Sequence, residues 1–589
     1  MCGVFAIFSK ESINAQHTGI ARELTKLLKH RGPDSDGIWS DKKNGILLGH
    51  TRLAIIDLSE DASQPMERYG INISFNGELY NYKEIKAILE KRGYIFYSKS
   101  DTEVVLAAWH EWEDECFDKF DGMFVVAIWD KVKLVLASDH FGEKTLYYSK
   151  TKFGWLVCSE LSAIKNVVDL DIDMGNEEIS SFMSLGFIAG PKTAYKNTYR
   201  LMSSEIVHLY RDQTLHKRKY WTMPDFEEIN GRVLPISENQ LDDITDKLLT
   251  SLRRRMMSDV PMCLYLSSGV DSSLIAALLK KEMNHDISCV TVTFDGDNFH
   301  DESDKSKRIA DYLDLDMHNV IISASEDLFL SKTLIDHYGQ PFESSTSFAI
   351  SRMTGDVSNK YKVGLTGIGG DEIFAGYGKH DFSYRYSKLL NLPDYIVWMF
   401  RKFNILDNNF ISLLGTKRYQ KYIALKNYPM LSTLSDIDGF IDWMQKKYPT
   451  IRSFEREIYN EELMEVLPNS RCISVDLGSM SSGVELRTPY LNKELLDLLA
   501  TYDYRSLISF GQKRVLRDIL KRYLPNSLVD TPKYGFTVPN KWLVEKYRGN
   551  SVTSALPSSI RNLNSQSGGD RNADRIIMRS MILSQFLNS

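Results

Sequence analysis

The chain has 589 residues, enough for two or more domains with sizeable cores, and its 43% hydrophobic and 25% charged content is that of a globular protein. A formal net charge of −6 gives no electrostatic footprint for nucleic acid or an anionic membrane as a partner. The six cysteines (Cys2, Cys116, Cys158, Cys263, Cys289, Cys472) form no CxxC pair and no metal-ligand spacing, which argues against a disulfide scaffold. With no basic-then-apolar leader and no run of about 18 apolar residues, a cytoplasmic location without a membrane partner is expected.

The first element carries the first chemical signal. Cys2 directly follows the initiator methionine, and removal of Met1 would free an α-amine beside its thiol. Such an amine titrates at about 7.7–8.0, so it can take the thiol proton near neutrality and activate a covalent nucleophile. Position alone leaves open a free cysteine at a chain end.

From there the β-rich runs "CGVFAIFS", "GILLGHTRLAII", "INISFNGELY", "MFVVAIWD", "KLVLASD" and "GWLVCSE" are bounded by Gly, Asn and Asp. Helical stretches at roughly 82–92 and 102–112 separate the third run from the fourth. An α+β domain with two sheets packed face to face follows. From about 205 to 236 the chain turns polar and reads as an irregular connector. Then the pattern changes. "MCLYLS", "ISCVTVTFD", "NVIIS" and "YKVGLTG" alternate with helices from about 272, near 302–315 and near 325–338, which predicts a parallel α/β sheet. Residues from about 380 to 530 read as mostly helical, and the Ser/Asn/Gly-rich stretch near 550–570 as flexible.

Two loops of this second part point to a nucleotide. "LYLSSGVDSSLIAALL" ends a buried strand in small residues and opens a helix at once. Small residues let the backbone approach an anion, and a helix N-terminus offers unpaired N–H donors to phosphate oxygens. The loop lacks the Lys-Ser/Thr ending of a kinase-type phosphate loop. "VGLTGIGGDEIFAGY" repeats the device and sets Asp371 at a helix start. In a parallel sheet such loops gather at the carboxyl ends of the strands. Asp271 and Asp371 could there share a Mg²⁺ that bridges phosphate oxygens, since Mg²⁺ favours one or two carboxylates plus phosphates.

With "SSGVDSS", "TGIGGDEIFAGY", "SMSSGVELRTPYLNKELLDL" and "GQKRVLRDILKRYLPNSLVDTPKYGFTVPNKWL" in this order, the chain resembles the glutamine-hydrolysing asparagine synthetases that carry an N-terminal-nucleophile glutaminase. The resemblance covers about residues 2–545. It implies a glutaminase domain at 2–205, a connector at 206–236, an ATP-pyrophosphatase synthetase domain at 237–548, and a flexible segment with a terminal helix at 549–589. It also implies Cys2 as glutaminase nucleophile, with Asn76 and Gly77 of "FNGELYN" as oxyanion donors. Glutamine would be held along Arg52, Leu53, Ala54, Ile55 and Ile56 of "HTRLAIIDLS", with Arg52 on its carboxylate and Glu78 and Asp101 on its ammonium. ATP would lie against Leu266, Ser267, Ser268, Gly269, Asp271, Ser272, Val292, Thr366 and Gly367. Lys513 of "GQKRVLR" would stabilise charge developing on the phosphates and the tetrahedral intermediate.

The implied reaction transfers ammonia from glutamine to an acyl-adenylate made with ATP and Mg²⁺, releasing AMP and pyrophosphate. It requires a dry interdomain channel. Aspartate is the favoured acceptor, and the family is often a homodimer. The chain departs from the family pattern in places. Ser268 replaces a loop glycine. Ile368 stands where an acid is common, which opens a second acceptor class, uronic acids of surface polysaccharides, that lack an α-ammonium. Glu343 of "QPFESS" or Glu372 is the expected substitute acid.

Overall fold

The computed structural model describes residues 2–226, 233–295, 303–323, 331–390, 454–530 and 571–587, with a few isolated positions between 392 and 402. The expected flexible stretch at 550–570 and the motif at 531–543 lie outside them.

Two antiparallel six-stranded sheets build the first part. Edge to edge, one runs Thr198–Arg200, Tyr147–Lys150, Gly154–Cys158, Gly3–Ser9, Ile46–Arg52 and Ser35–Asp41. The other runs Leu215–Lys219, Glu205–Leu209, Leu134–Ser138, Gly122–Trp129, Ile71–Leu79 and Met66–Arg68. Strand alternation sorts the side chains. Val4, Ala6 and Phe8 pack inward against Val125, Ala127 and Trp129 of the facing sheet. Phe5 and Ile7 pack outward, in one core with Ala21 and Leu24 of the helix Ala15–Leu27. Helices Tyr82–Lys91 and Asp101–Trp112 cover the outer face of the second sheet, within a residue of their expected bounds.

The stretch expected to be irregular from 205 holds two strands that complete the second sheet, Glu205–Leu209 and Leu215–Lys219. Leu215–Lys219 is an exposed edge strand rich in cations, so it carries no alternating apolar signal.

The second part is a five-stranded parallel sheet in the order Met317–Ile322, Ser288–Phe294, Met262–Tyr265, Val363–Leu365 and Glu485–Arg487. The chain builds outward in one direction from Met262–Tyr265 and in the other from Val363–Leu365. Those two neighbours are therefore the topological switch point, where ligands of open α/β sheets bind. The helix Glu238–Arg255 enters this part behind a Ser237–Gln240 capping box. In the region read as helical, Glu485–Arg487 forms the edge strand. Three residues are too few for a periodic signal. The chain closes with the helix Arg571–Leu587.

Candidate active sites

Cys2 lies just before the strand Gly3–Ser9, and its backbone N–H donates to Asn76 Oδ1 at 2.8 Å. That bond crosses from one sheet to the other. The other end of the same amide, Asn76 Nδ2, is buried and donates to no group among the described residues. A buried, uncommitted amide donor on the residue that holds the Cys2 backbone is what an oxyanion would use. Gly77, next along the strand, has φ +150°. A Cβ there would sit 2.0 Å from Met123 O, so only glycine lets the two strands pair. Burial raises the thiol pKa of Cys2, with its amino-terminal neighbourhood, the Leu53 N–H and Arg52 acting the other way.

Arg52 is buried, and its guanidinium donates to the carbonyls of Asp57 and of Ser59, the latter at 2.9 Å. It thus closes the loop that carries Leu53, Ala54, Ile55 and Ile56. Within that loop Ala54 N–H donates to Asp34 Oδ2 at 2.7 Å. Glu78 and Asp101 are both buried, and Asp101 Oδ2 accepts from Leu79 N–H at 2.8 Å. Burial pushes the Asp101 pKa up to about 6. Burial and then the Glu485 carboxylate raise that of Glu78. Glu485 and Arg487 were not singled out from the sequence. They reach this site from the edge strand of the parallel sheet, with Arg487 Nη2 3.4 Å from Glu78 Oε1. Their motif was visible, but nothing in the sequence placed it against the first part.

The second site lies at the switch point. A cavity of about 240 Å³ opens over the ends of Met262–Tyr265 and Val363–Leu365. Leu266, Ser267, Asp271, Ser272, Val292, Thr366, Gly367 and Asp371 all line it. Ser268 and Gly269 belong to the same loop but do not line the cavity, and the Ser268 hydroxyl is buried with no partner among the described residues. The two loops press together. A Cβ on Gly367 would come within 2.9 Å of Asp271 Cβ and Ser272 N.

Lys513 Nζ sits between the two acids, on Asp371 Oδ1 at 2.6 Å and in a closer contact with Asp271 Oδ2. Lys513 is buried and holds a left-handed conformation, φ +53°, a strained geometry typical of functional positions. Asp271 and Asp371 line the cavity together, and a pair of carboxylates is the kind of hard oxygen donor that Mg²⁺ takes alongside phosphates.

The remaining wall was largely missed. Glu372, expected as one substitute acid, lines the cavity. Its carboxylate accepts from Tyr377 OH at 2.5 Å and Gly369 N–H at 3.1 Å, with Arg471 Nε 3.6 Å away. Arg471 comes from the π-helical turn Glu462–Arg471, a distortion that often marks functional sites. Ile368 lines the cavity and packs against the adjoining core. Glu343, the other expected acid, does not line it. Its carboxylate is held by Arg579 and approached by Arg575 of the terminal helix. Arg579 lies in a tail that matched no motif, so its pull on Glu343 had no sequence signal.

Buried contacts join the two sites. Arg31 Nε donates to Cys2 O at 3.1 Å, and its Nη2 donates to Asp476 Oδ1 at 3.0 Å. Asp476 belongs to the helix Cys472–Met480, whose Ser474 and Val475 line the cavity. An apolar cluster of Leu53, Ile55, Tyr80 and Met123 from the first part with Val363 and Met480 from the second fills the space alongside.

Residues 1–221 match the glutamine amidotransferase domain family, and residues 243–583 match the asparagine synthase family. Together with the paired antiparallel sheets and the parallel sheet that follows them, these matches define a glutamine-dependent amidotransferase. The chain belongs to the asparagine synthase family. The second match reaches well beyond residue 545 and takes in most of the terminal helix.

Asparagine synthetase [glutamine-hydrolyzing] 1 of Bacillus subtilis (strain 168) is 27% identical over 92% of this chain and 88% of its own length. A putative asparagine synthetase [glutamine-hydrolyzing] 2 of Methanocaldococcus jannaschii is 32% identical over 67% of this chain and 79% of its own. An amidase of Gibberella zeae, chry2, is 27% identical over 64% of this chain and 59% of its own. No helix among the described residues is long and apolar enough to cross a membrane.

Proposed function

We propose that the protein hydrolyses glutamine at Cys2 and uses the ammonia, with ATP, to convert aspartate to asparagine. The observation that carries this reading is the buried Arg31 bridge, which ties the cysteine to the helix lining the nucleotide cavity.

At the first site the Cys2 thiolate attacks the glutamine amide carbon. Oxyanion charge is met by Asn76 Nδ2 and the Gly77 N–H, and ammonia leaves as the thioester forms. Water then releases glutamate. Arg52 with the Leu53–Ile56 loop takes the glutamine carboxylate, and Glu78 and Asp101 take its ammonium. Ammonia must travel unprotonated, and the packed apolar cluster from Leu53 to Val363 and Met480 supports a junction between the two parts that excludes water.

At the second site Leu266 and Val292 flank the adenine, while the Ser267–Ser272 loop and Thr366–Gly367 take the phosphates. Asp271 and Asp371 would hold Mg²⁺, which when bound supplies positive charge to the phosphate oxygens. The acceptor carboxylate attacks the α-phosphorus, and pyrophosphate leaves. Ammonia then attacks the acyl carbon, and AMP leaves with the amide formed. Lys513 steadies the charge of both steps.

Glu372 and Arg471 stand side by side on the cavity wall, complementary to an ammonium and a carboxylate on one small molecule. That pairing supports aspartate. A second reading, a uronic acid as acceptor, is favoured by Ile368, which can neither accept a proton nor hold an ammonium. Pyrophosphate release from ATP and glutamine, with aspartate set against a panel of uronic and nucleotide-sugar acids, separates them. Asparagine formed with no response to sugar acids supports the first reading. Silence with aspartate overturns it.

A further inference from the structure

The terminal helix Arg571–Leu587 has no part in the chemistry above, yet it is built into both halves of the molecule. Met578, Met581, Ile582 and Phe586 are buried in a core shared with Phe182 of the first part and Phe342 of the second. Phe586 meets the Tyr195 ring edge-on, 5.9 Å between centroids.

Arg579, itself buried, is the polar centre of this junction. Its Nη1 donates to Met183 O at 2.8 Å and Ser184 O at 3.0 Å. Those carbonyls end the helix Asn176–Leu185, where a cation is favoured by the helix dipole. Its Nε binds Glu343 across the domain boundary.

Glu343 is fixed from the other side too, since its N–H donates to Gly186 O at 2.7 Å. Gly186 has φ +85°, and a Cβ there would lie 2.8 Å from Glu343 Oε2. The next residue, Ser344, bonds Ser474 Oγ at 2.7 Å. Ser474 and Thr346 both line the nucleotide cavity.

From this chain of contacts we infer that Arg579 is a positioning residue: through Glu343 it holds the start of the helix Ser345–Val357, whose Thr346 forms one wall of the acceptor end of the cavity, and keeps that wall in register with the glutaminase half. The wall and the glutaminase helix share one guanidinium, so neither shifts without the other. The inference rests on the two-site reading above, but can fail while that reading stands.

Full-length wild type, Arg579→Ala and Arg579→Lys are compared in glutamine-dependent and ammonium-dependent amide formation, with acceptor, ATP and glutamine each titrated. Arg579→Ala should raise the acceptor KM about tenfold and the glutamate released per AMP about twofold or more, a misplacement effect. ATP and glutamine KM should stay near wild type, and Arg579→Lys should restore part of the loss. Glu343→Gln, which keeps the volume of the side chain, should shift the same two quantities in the same direction and guards against a misfolded alanine variant.

Unchanged acceptor KM and glutamate-to-AMP ratio in both Arg579→Ala and Glu343→Gln would overturn the inference. So would a common loss in every rate without change in either quantity, the mark of a merely structural role. Wild type forming no amide would instead strike the two-site reading, and the inference with it.

Discussion

Arg31 Nη2 donates to both carboxylate oxygens of Asp476, at 3.0 and 3.1 Å, while Nε of the same guanidinium holds the carbonyl of Cys2 at 3.1 Å. Both side chains are fully buried. One planar cation therefore ties the backbone of the proposed nucleophile to the helix that lines the nucleotide cavity. Asp476 is braced further by the Thr145 hydroxyl at 2.8 Å.

Asp476→Ala leaves the Arg31 guanidinium short of its main counter-charge in a closed interior, with Glu160 the carboxylate that still meets it among the described residues. Losing one partner of a buried pair costs about 3–5 kcal/mol, so denaturant unfolding should shift by that order. Glutamate release should also run ahead of AMP release. An unaltered unfolding midpoint and an unaltered ratio would together deny the bridge any role.

Cys2→Ala removes the thiol and leaves the second site untouched. Glutamine-dependent amide formation should vanish, while ammonium still supports it at a rate near that of the wild type. Retained glutamine turnover in this variant would show that another group attacks the amide. Intact-mass measurement of the mature protein should find Met1 removed.

Asp371→Asn keeps the shape of the second loop but withdraws one of the two carboxylates that face Lys513. Pyrophosphate release should fall by orders of magnitude with either nitrogen donor, because transition-state charge loses its compensation. Glutaminase turnover should persist. Normal pyrophosphate release in this variant and in Asp271→Asn would remove both acids from the site.

Much of this was legible in the sequence, for physical reasons. Short loops of Ser, Gly and Asp between an apolar strand and a helix are common, but two of them in one parallel sheet converge at its carboxyl edge, so the stretches around Asp271 and Asp371 pointed to one site. The β-runs of the first part are nearly continuous apolar stretches because each strand splits its side chains between two cores, and Gly, Asn and Asp mark their ends. Partnership across the domain boundary was not legible. Glu485, Arg487 and Asp476 lie more than 400 residues from Cys2 along the chain, and no local pattern encodes which face meets which. Arg471 was not legible because a π-turn changes helical register, nor was the pairing of Glu343 with Arg579, which lies 236 residues further along the chain.

The buried carboxyl of Glu143 supplies a pH test. It bonds the Thr488 hydroxyl across the interface and is faced by Asp139, Lys144 and Arg255. Burial, then the Asp139 carboxylate, push its pKa up to about 8, against about 4.3 in an unfolded chain. A raised carboxyl pKa means the folded state keeps a proton that the unfolded state gives up. This group's contribution therefore falls as pH rises from about 4.3 to about 8. Glu143→Gln carries no such charge. Its melting temperature should exceed that of the wild type at pH 8.5 and approach it at pH 5. A difference that does not depend on pH would contradict the assignment.

The central claim is that nitrogen passes from glutamine at Cys2 to an acyl-adenylate at the second site without mixing with solvent. Heavy-nitrogen-labelled glutamine, with the label in the amide, is supplied with ATP, Mg²⁺ and aspartate in a buffer containing excess unlabelled ammonium, and the product asparagine is weighed by mass spectrometry. The account predicts asparagine carrying mostly the heavy label, with AMP and pyrophosphate formed in equal amounts. Asparagine carrying mostly the unlabelled nitrogen of the buffer, or no asparagine at all, would contradict it.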